Sequence, residues 1–289
     1  MHIAESGFHT ASPSSSPFFW RWPQLGLSSP KPSIVLAVRH KLDSFYPENY
    51  LSEKTVNEEA AKPVSLRQWI KLVVVYLLIP LILFICGGDI GWWQAWLYCM
   101  LILGAGIGGR MWAELRHPGL TAARQNIEII QSAKAWDKAL APLMAVSIGY
   151  PMVVVAGLDH RFNWSTEFPL WLIVIGFILT SLGYAFAAWA LVENRFFYSV
   201  VSIQTDRGHV VCDSGPYGLV RHPGYAGNIL GLFGIVLALG SIWALIPATV
   251  ASIIAVIRTA LEDQTLQAEL PGYPDYTQRV RYRLIPAIY

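Results

Sequence analysis

Two short stretches of this sequence combine the residue types that chemistry requires. Residues 215–228 read Gly-Pro-Tyr-Gly-Leu-Val-Arg-His-Pro-Gly-Tyr-Ala-Gly-Asn, a turn with an Arg-His pair, two tyrosines and four glycines between apolar segments. Polar groups at the edge of an apolar bundle are expensive and usually mark a site. Pro223 suits the first position of a helix, where free N–H groups welcome an anion such as a carboxylate. Arg221 and His222 add charge and hydrogen bonds at the same point; the plainer reading is a pair that snorkels to lipid headgroups. The second stretch is Arg258-Thr259-Ala260-Leu261-Glu262-Asp263. Arg258 and Glu262 are four apart and share a helical face, so they form either an ion pair along the helix or one wall of a site. A guanidinium beside two acids, facing the Arg221-His222 turn, suits a zwitterionic ligand. The tail adds Tyr273 and Tyr276, then a basic aromatic run at 280–286 that also fits an interfacial anchor.

The elements that must position these residues are membrane spans. The 289 residues are 54% apolar and 14% charged, with a mean hydropathy of +0.42, whereas soluble domains run nearer a quarter charged. Six apolar runs emerge: 69–86 (with Pro80 inside), 90–108, 139–158 (interrupted by Pro151), 168–192, 225–239 and 242–257. The last two flank Gly240-Ser241 as a helical hairpin with arms of roughly 23 Å, short against a hydrocarbon core of ~30 Å. Trp93, Trp96, Trp164 and Trp171 lie near span ends, as interfacial anchors do. Gly224, Gly227, Gly231 and Gly234 make one smooth helix face, suited to close helix packing. The expected fold is therefore an all-α polytopic bundle of about six spans, with a C-terminal helical hairpin and the site at the cytosolic end.

Cations in the loops set the topology. The 110–138 connection carries Arg110, Arg116, Arg124, Lys134 and Lys138, while 87–89 carries none and 159–167 only Arg161. The positive-inside rule then puts 110–138, 194–222 and both termini in the cytosol. That gathers both chemical stretches on one membrane face. Residues 1–65, rich in serine and proline, are expected to be a disordered or weakly structured extension, with a short surface helix inside 39–63. A net charge of +2 without a basic stripe argues against nucleic acid. Three cysteines in no metal spacing argue against a metal site or a disulfide framework, and no hydrolase elbow or Walker pattern is present.

Taken together, Gly-Pro-Tyr-x-x-Val-Arg-His-Pro-x-Tyr-x-Gly at 215–227, Arg-x-x-x-Glu at 258–262 and Gly-Tyr-x-x-Tyr at 272–276 resemble the isoprenylcysteine carboxyl methyltransferase family of integral membrane enzymes. The likeness extends to residues 117–120, 194–197 and 206–209 and so covers about 66–289; where the family favours a second glutamate, this chain has Asp263. The resemblance implies S-adenosylmethionine as cofactor, bound between the Arg221-His222-Pro223 turn and the C-terminal helix. By that analogy Tyr217, Val220, Arg221, His222, Pro223, Tyr225, Tyr273 and Tyr276 contact it and Glu262 holds its polar end. Arg258 and Glu262 are then the catalytic pair, Arg258 orienting the acceptor carboxylate. The implied partners are the bilayer and a lipophilic or prenylated acceptor, with no metal. The implied location is the endoplasmic reticulum membrane of a eukaryote or the inner membrane of a bacterium. Two other activities fit related motifs: N-methylation of a phospholipid amine, and an NADPH-dependent sterol-type reduction suggested by the 280–286 run. A non-enzymatic membrane scaffold is the remaining reading.

Overall fold

The computed structural model describes residues 64–204 and 208–289, apart from the side chains of residues 127 and 128. The expected N-terminal extension therefore lies outside the described residues, save for Val64 and Ser65, as do Asp206 and Arg207 of the 206–209 motif. Among the described residues the chain is helical, without a strand.

Helix α1 (Leu66–Gly87) starts at a capping box in which Ser65 and Gln68 satisfy each other's backbone, and it carries Pro80 without ending there. It stops at Gly88, whose φ of 64° needs a residue without a side chain. Helix α2 (Trp93–Leu103) runs through a single π-helical turn at Gly104–Gly108 into α3 (Gly109–Arg116). The sequence reading ends this span at Gly108; the helix instead runs on to Arg116, and Glu114 folds back to accept from the N–H groups of Gly119 and Thr121 at the start of the next helix. Two short helices follow, α4 (Leu120–Arg124) and α5 (Ile127–Gln131). Next come α6 (Asp137–Ser147) and α7 (Tyr150–Phe162), in line but broken before Pro151. The long α8 (Leu170–Glu193) leads through an irregular connection to a 3-10 turn at Gly215–Gly218. Helices α9 (Pro223–Ala238), α10 (Leu245–Glu269) and α11 (Tyr273–Arg279) complete the chain.

Among the described residues four stretches are long and apolar enough to cross a membrane: α1, α6 with α7, α8 and α10; α9 is a shorter apolar helix. This is a multi-pass membrane protein; of the six runs expected from the sequence, four meet the length of a span among the described residues, and 90–108 and 225–239 form the shorter helices α2 and α9. Large apolar side chains point outward along α1, α8 and α10, among them Ile70, Leu81, Ile178, Leu182, Val250 and Ile253. That is the pattern of helices solvated by lipid. Trp93, Trp96, Trp164 and Trp171 are all exposed, as boundary anchors require.

The glycine face of α9 is a packing device. It lies against α8 so closely that a Cβ on Gly227 would sit 2.5 Å from the Gly183 carbonyl, and one on Gly234 2.5 Å from the Thr180 nitrogen. Small residues let the two backbones touch, and dispersion replaces the hydrophobic drive that lipid removes. At one end of the bundle the short turns meet: Asp159 accepts from Ser165 and Ser241, and His160 stacks on Trp92 with ring centroids 4.0 Å apart while bonding Asp89. The long connections and the tail gather at the opposite end. There the backbone N–H groups of Arg221 and His222 donate to the carbonyls of Tyr282 and Arg283, tying the tail onto the turn.

Candidate functional site

At this second end a single cavity of about 620 Å³ runs from the 215–225 turn into the bundle. Of the residues singled out from the sequence, Tyr217, Arg221, His222, Tyr225, Arg258, Glu262, Tyr273 and Tyr276 all line it. Val220 and Pro223 do not reach its wall: Val220 is packed in the interior, and Pro223 is buried at the first turn of α9.

The polar end is organised by Asp263, which is wholly buried on the last third of α10. Its Oδ1 accepts from Tyr273 at 2.9 Å and His222 at 3.3 Å and faces the Arg221 Nε at 3.2 Å. Its Oδ2 accepts from Arg283 at 2.9 Å and Gln267 at 2.8 Å. A buried carboxylate tolerates desolvation only when so surrounded. The arrangement welds α10, the turn, α11 and the tail into one unit. Tyr276 adds a 2.7 Å bond to the Tyr217 carbonyl, and the Tyr217 hydroxyl meets Asn194. Burial pushes the hydroxyls of Tyr217, Tyr273 and Tyr276 well above the ordinary tyrosine range, so all three stay neutral hydrogen-bonding groups.

The middle of the cavity holds Tyr225, Glu262 and Arg258. The Tyr225 hydroxyl donates to Glu262 at 2.6 Å, and the Arg258 guanidinium lies over the Tyr225 ring at 5.7 Å. The ion pair along the helix between Arg258 and Glu262 does not form. Arg258 instead grips Asp137, with Nε to Oδ1 at 2.7 Å and Nη2 to Oδ2 at 2.9 Å, while Nη2 also donates to the Ser199 carbonyl at 3.0 Å. This planar two-point contact is one that only arginine makes. Asp137 in turn accepts from the Val201 N–H at 2.6 Å. The Nη1 edge of Arg258 remains, turned toward Met144 on the cavity wall.

Asp137 escapes the sequence reading because its partner lies 121 residues away. The one available signal was a carboxylate at the first turn of an apolar span, a costly place for an unpaired acid. Arg110 and Arg124 appeared in the sequence only as loop cations, yet both line the cavity. The inner half is apolar, walled by Val75, Ile79, Ile102, Met144 and Ile148 from α1, α2 and α6 with the link that follows it. His209 also lines the polar half, stacked on Phe196 with centroids 4.5 Å apart. Burial first, and then the Arg195 charge, pull its pKa down from 6.5 to about 4. Among the described residues no three His, Cys, Asp or Glu side chains converge as ion ligands.

The donor set suits S-adenosylmethionine. A carboxylate fits the first turn of α9 beside His222 and Arg221, whose Nε already faces Asp263. An ammonium fits Glu262, and an aromatic ring fits among Tyr217, Tyr273 and Tyr276. Comparison with known proteins points to a membrane methyltransferase. Residues 171–270 match the family model of the phospholipid methyltransferases, within the isoprenylcysteine carboxyl methyltransferase-type group of membrane methyltransferases. The match includes the 215–227 turn, Arg258 and Glu262 and ends before Tyr273. The chain is also similar to the cobalt-zinc-cadmium resistance protein CzcN of Cupriavidus metallidurans, 27% identical over 157 residues that cover 47% of this chain and 70% of the relative.

Proposed function

We propose that this protein methylates the carboxylate of a lipophilic acceptor, such as a prenylated cysteine, with S-adenosylmethionine as donor. The observation that carries this reading is the charge of the cavity wall. Four arginines line it: Asp137 matches Arg258 and Asp263 faces Arg221, so against the wall's one carboxylate, Glu262, stand Arg110 and Arg124, which have no carboxylate partner among the described residues. A wall of that sign favours an anionic acceptor over an ammonium.

When bound, S-adenosylmethionine supplies a methyl group on a positively charged sulfur. Glu262 would hold its ammonium and Arg221 with His222 its carboxylate, between the turn and α11. An acceptor carboxylate is already ionised at neutral pH, so no residue need act as a strong base. What the chain supplies is alignment and a dry site. Arg258, held by Asp137, offers its Nη1 edge as a fixed donor. Tyr225, neutral and bonded to Glu262, fills the space beside it. The apolar walls from α1, α2 and α6 accept the hydrocarbon part of the acceptor, and the tail steadies the turn through the carbonyls of Tyr282 and Arg283. The positive-inside pattern supports a cytosolic placement of this end.

A second reading, N-methylation of a phospholipid amine, is favoured by the name of the matched family. It requires a base to take the ammonium proton, and Glu262 or His222 would serve. Two measurements on detergent-solubilised protein separate the readings. Thermal shift with S-adenosylmethionine against NADPH tests the cofactor; a response to NADPH alone would overturn methyl transfer altogether. Transfer of a labelled methyl group to N-acetyl-S-farnesylcysteine, against phosphatidylethanolamine, then tests the acceptor. A carboxyl ester releases its label as methanol in mild base. A base-stable product on the phospholipid would replace O-methylation with N-methylation.

A further inference from the structure

Five cations around the site end have an acid within reach. Lys134 meets Glu269, Arg221 and Arg283 meet Asp263, Arg258 meets Asp137, and Arg279 meets Asp213. Arg110 and Arg124 do not: among the described residues no carboxylate lies within ion-pair distance of either. Both nonetheless line the cavity, Arg110 from the first turn of α3 and Arg124 from the end of α4.

Arg124 is positioned rather than free. Its Nη1 donates to the Phe197 carbonyl at 2.5 Å, its guanidinium stacks over the Phe197 ring at 5.2 Å, and its own carbonyl accepts from Ser199. Its Nε is buried with no acceptor among the described residues. Burial, and then the charge of Arg110, work against this cation, with the Arg258 charge adding to them. A half-buried guanidinium at a cavity wall, with no carboxylate beside it among the described residues, favours an anion there. A second feature points to the same place. The π-helical turn at 104–108 precedes Arg110 directly, and its Gly106 lies so close to Tyr76 that a Cβ would come within 2.2 Å of that ring. Such turns recur at functional sites, because they rotate the residues that follow off the regular helical register.

We infer that Arg110 and Arg124 form an anion subsite at the junction of the polar and apolar halves of the cavity, which binds the charged group of the lipophilic acceptor. Arg258 is neutralised by Asp137 and acts as a directional donor, whereas the net positive charge that draws the acceptor comes from Arg110 and Arg124. The assignment rests on the methyltransferase reading for what the anion belongs to, but not for its existence. The same geometry would take an acceptor carboxylate or the phosphate of a phospholipid acceptor.

The test is binding, independent of turnover. Affinities of the detergent-solubilised protein for N-acetyl-S-farnesylcysteine, for its uncharged methyl ester and for phosphatidylethanolamine would be measured by microscale thermophoresis. S-adenosylhomocysteine affinity serves as the check that each variant is folded. The acid should bind about tenfold tighter than the ester. Arg110→Gln and Arg124→Gln should each remove most of that advantage while leaving ester and S-adenosylhomocysteine affinities within about twofold, and Arg124→Lys should keep part of it. An advantage that survives in both glutamine variants would overturn the subsite. Absence of an acid advantage in the unaltered protein, with phosphatidylethanolamine binding weakened in both variants, would support the subsite and sink the carboxylate reading. No charge preference for either lipid would sink the subsite and leave the methyl-transfer assay to decide the function separately.

Discussion

Breaking the Asp137–Arg258 pair tests the site's architecture most directly. Both side chains are buried, Asp137 completely. Asp137→Asn keeps the shape and an oxygen for the Val201 N–H but leaves Arg258 without its counter-charge. Arg258→Gln leaves the carboxylate stranded instead. Removing one partner of a buried pair costs about 3–5 kcal/mol. For a domain of this size each kcal/mol moves the melting point by about 2–4 °C. Each single variant should therefore melt at least about 6 °C lower. With both changes no charge is stranded, so the double variant should be about 2–3 kcal/mol more stable than the sum of the single losses predicts. The assay is a double-mutant cycle on purified protein in one detergent, by thermal and denaturant unfolding, with methyl transfer measured on the same samples. Arg258→Lys, which cannot make the two-point contact, should recover stability in part and activity poorly. Additive losses, or an Asp137→Asn protein that melts within 1 °C of the original, would refute the claim that this pair positions the site.

Glu262→Gln keeps the volume and an acceptor for Tyr225, so it should leave the melting point unchanged while weakening S-adenosylhomocysteine binding by roughly tenfold or more in calorimetry. Gly227→Ala forces a Cβ to 2.5 Å from the Gly183 carbonyl and should cost about 1–3 kcal/mol, whereas Gly108→Ala meets nothing within 4 Å and should be neutral or slightly stabilising in the same melt. His209 titrates at about 4 in the folded protein against 6.5 unexposed to these effects. Between those values the unfolded chain binds the proton that the folded one refuses, so stability should fall as pH drops from 6.5 towards 4. His209→Gln should flatten that slope in pH-dependent unfolding.

The spans were legible in the sequence because lipid demands long apolar runs, and the break before Pro151 and the stop at Gly88 follow from backbone rules. The second span was not legible past Gly108. Arg110, Glu114 and Arg116 read as a loop there, since a sequence does not show that Glu114 will turn back onto Gly119 and Thr121 or that Arg110 will enter a cavity. The meeting of the Arg221-His222 turn with the 258–263 stretch was legible, because loop charges placed both on one face and a short hairpin joins them. The glycine face was equally legible as packing for Gly227, Gly231 and Gly234, while Gly224 at its start also lines the cavity.

The partners inside the site were not. Spacing made Arg258 and Glu262 look like each other's counter-ions, and an exposed pair four apart is worth only about 0.2–0.5 kcal/mol. Burial changes the competition. Asp137 reaches Arg258 from another helix with two aligned bonds, and Tyr225 takes Glu262. Periodicity reports which residues share a face, but pairing in a desolvated interior is decided by whatever tertiary packing brings within 3 Å. The same logic makes the unpaired charges informative. Once Asp137 and Asp263 have claimed Arg258, Arg221 and Arg283, the cations left over at the cavity wall are Arg110 and Arg124. Held there without a carboxylate among the described residues, they are the cations that the proposed anion subsite assigns to the substrate's carboxylate, or to a phosphate in its place.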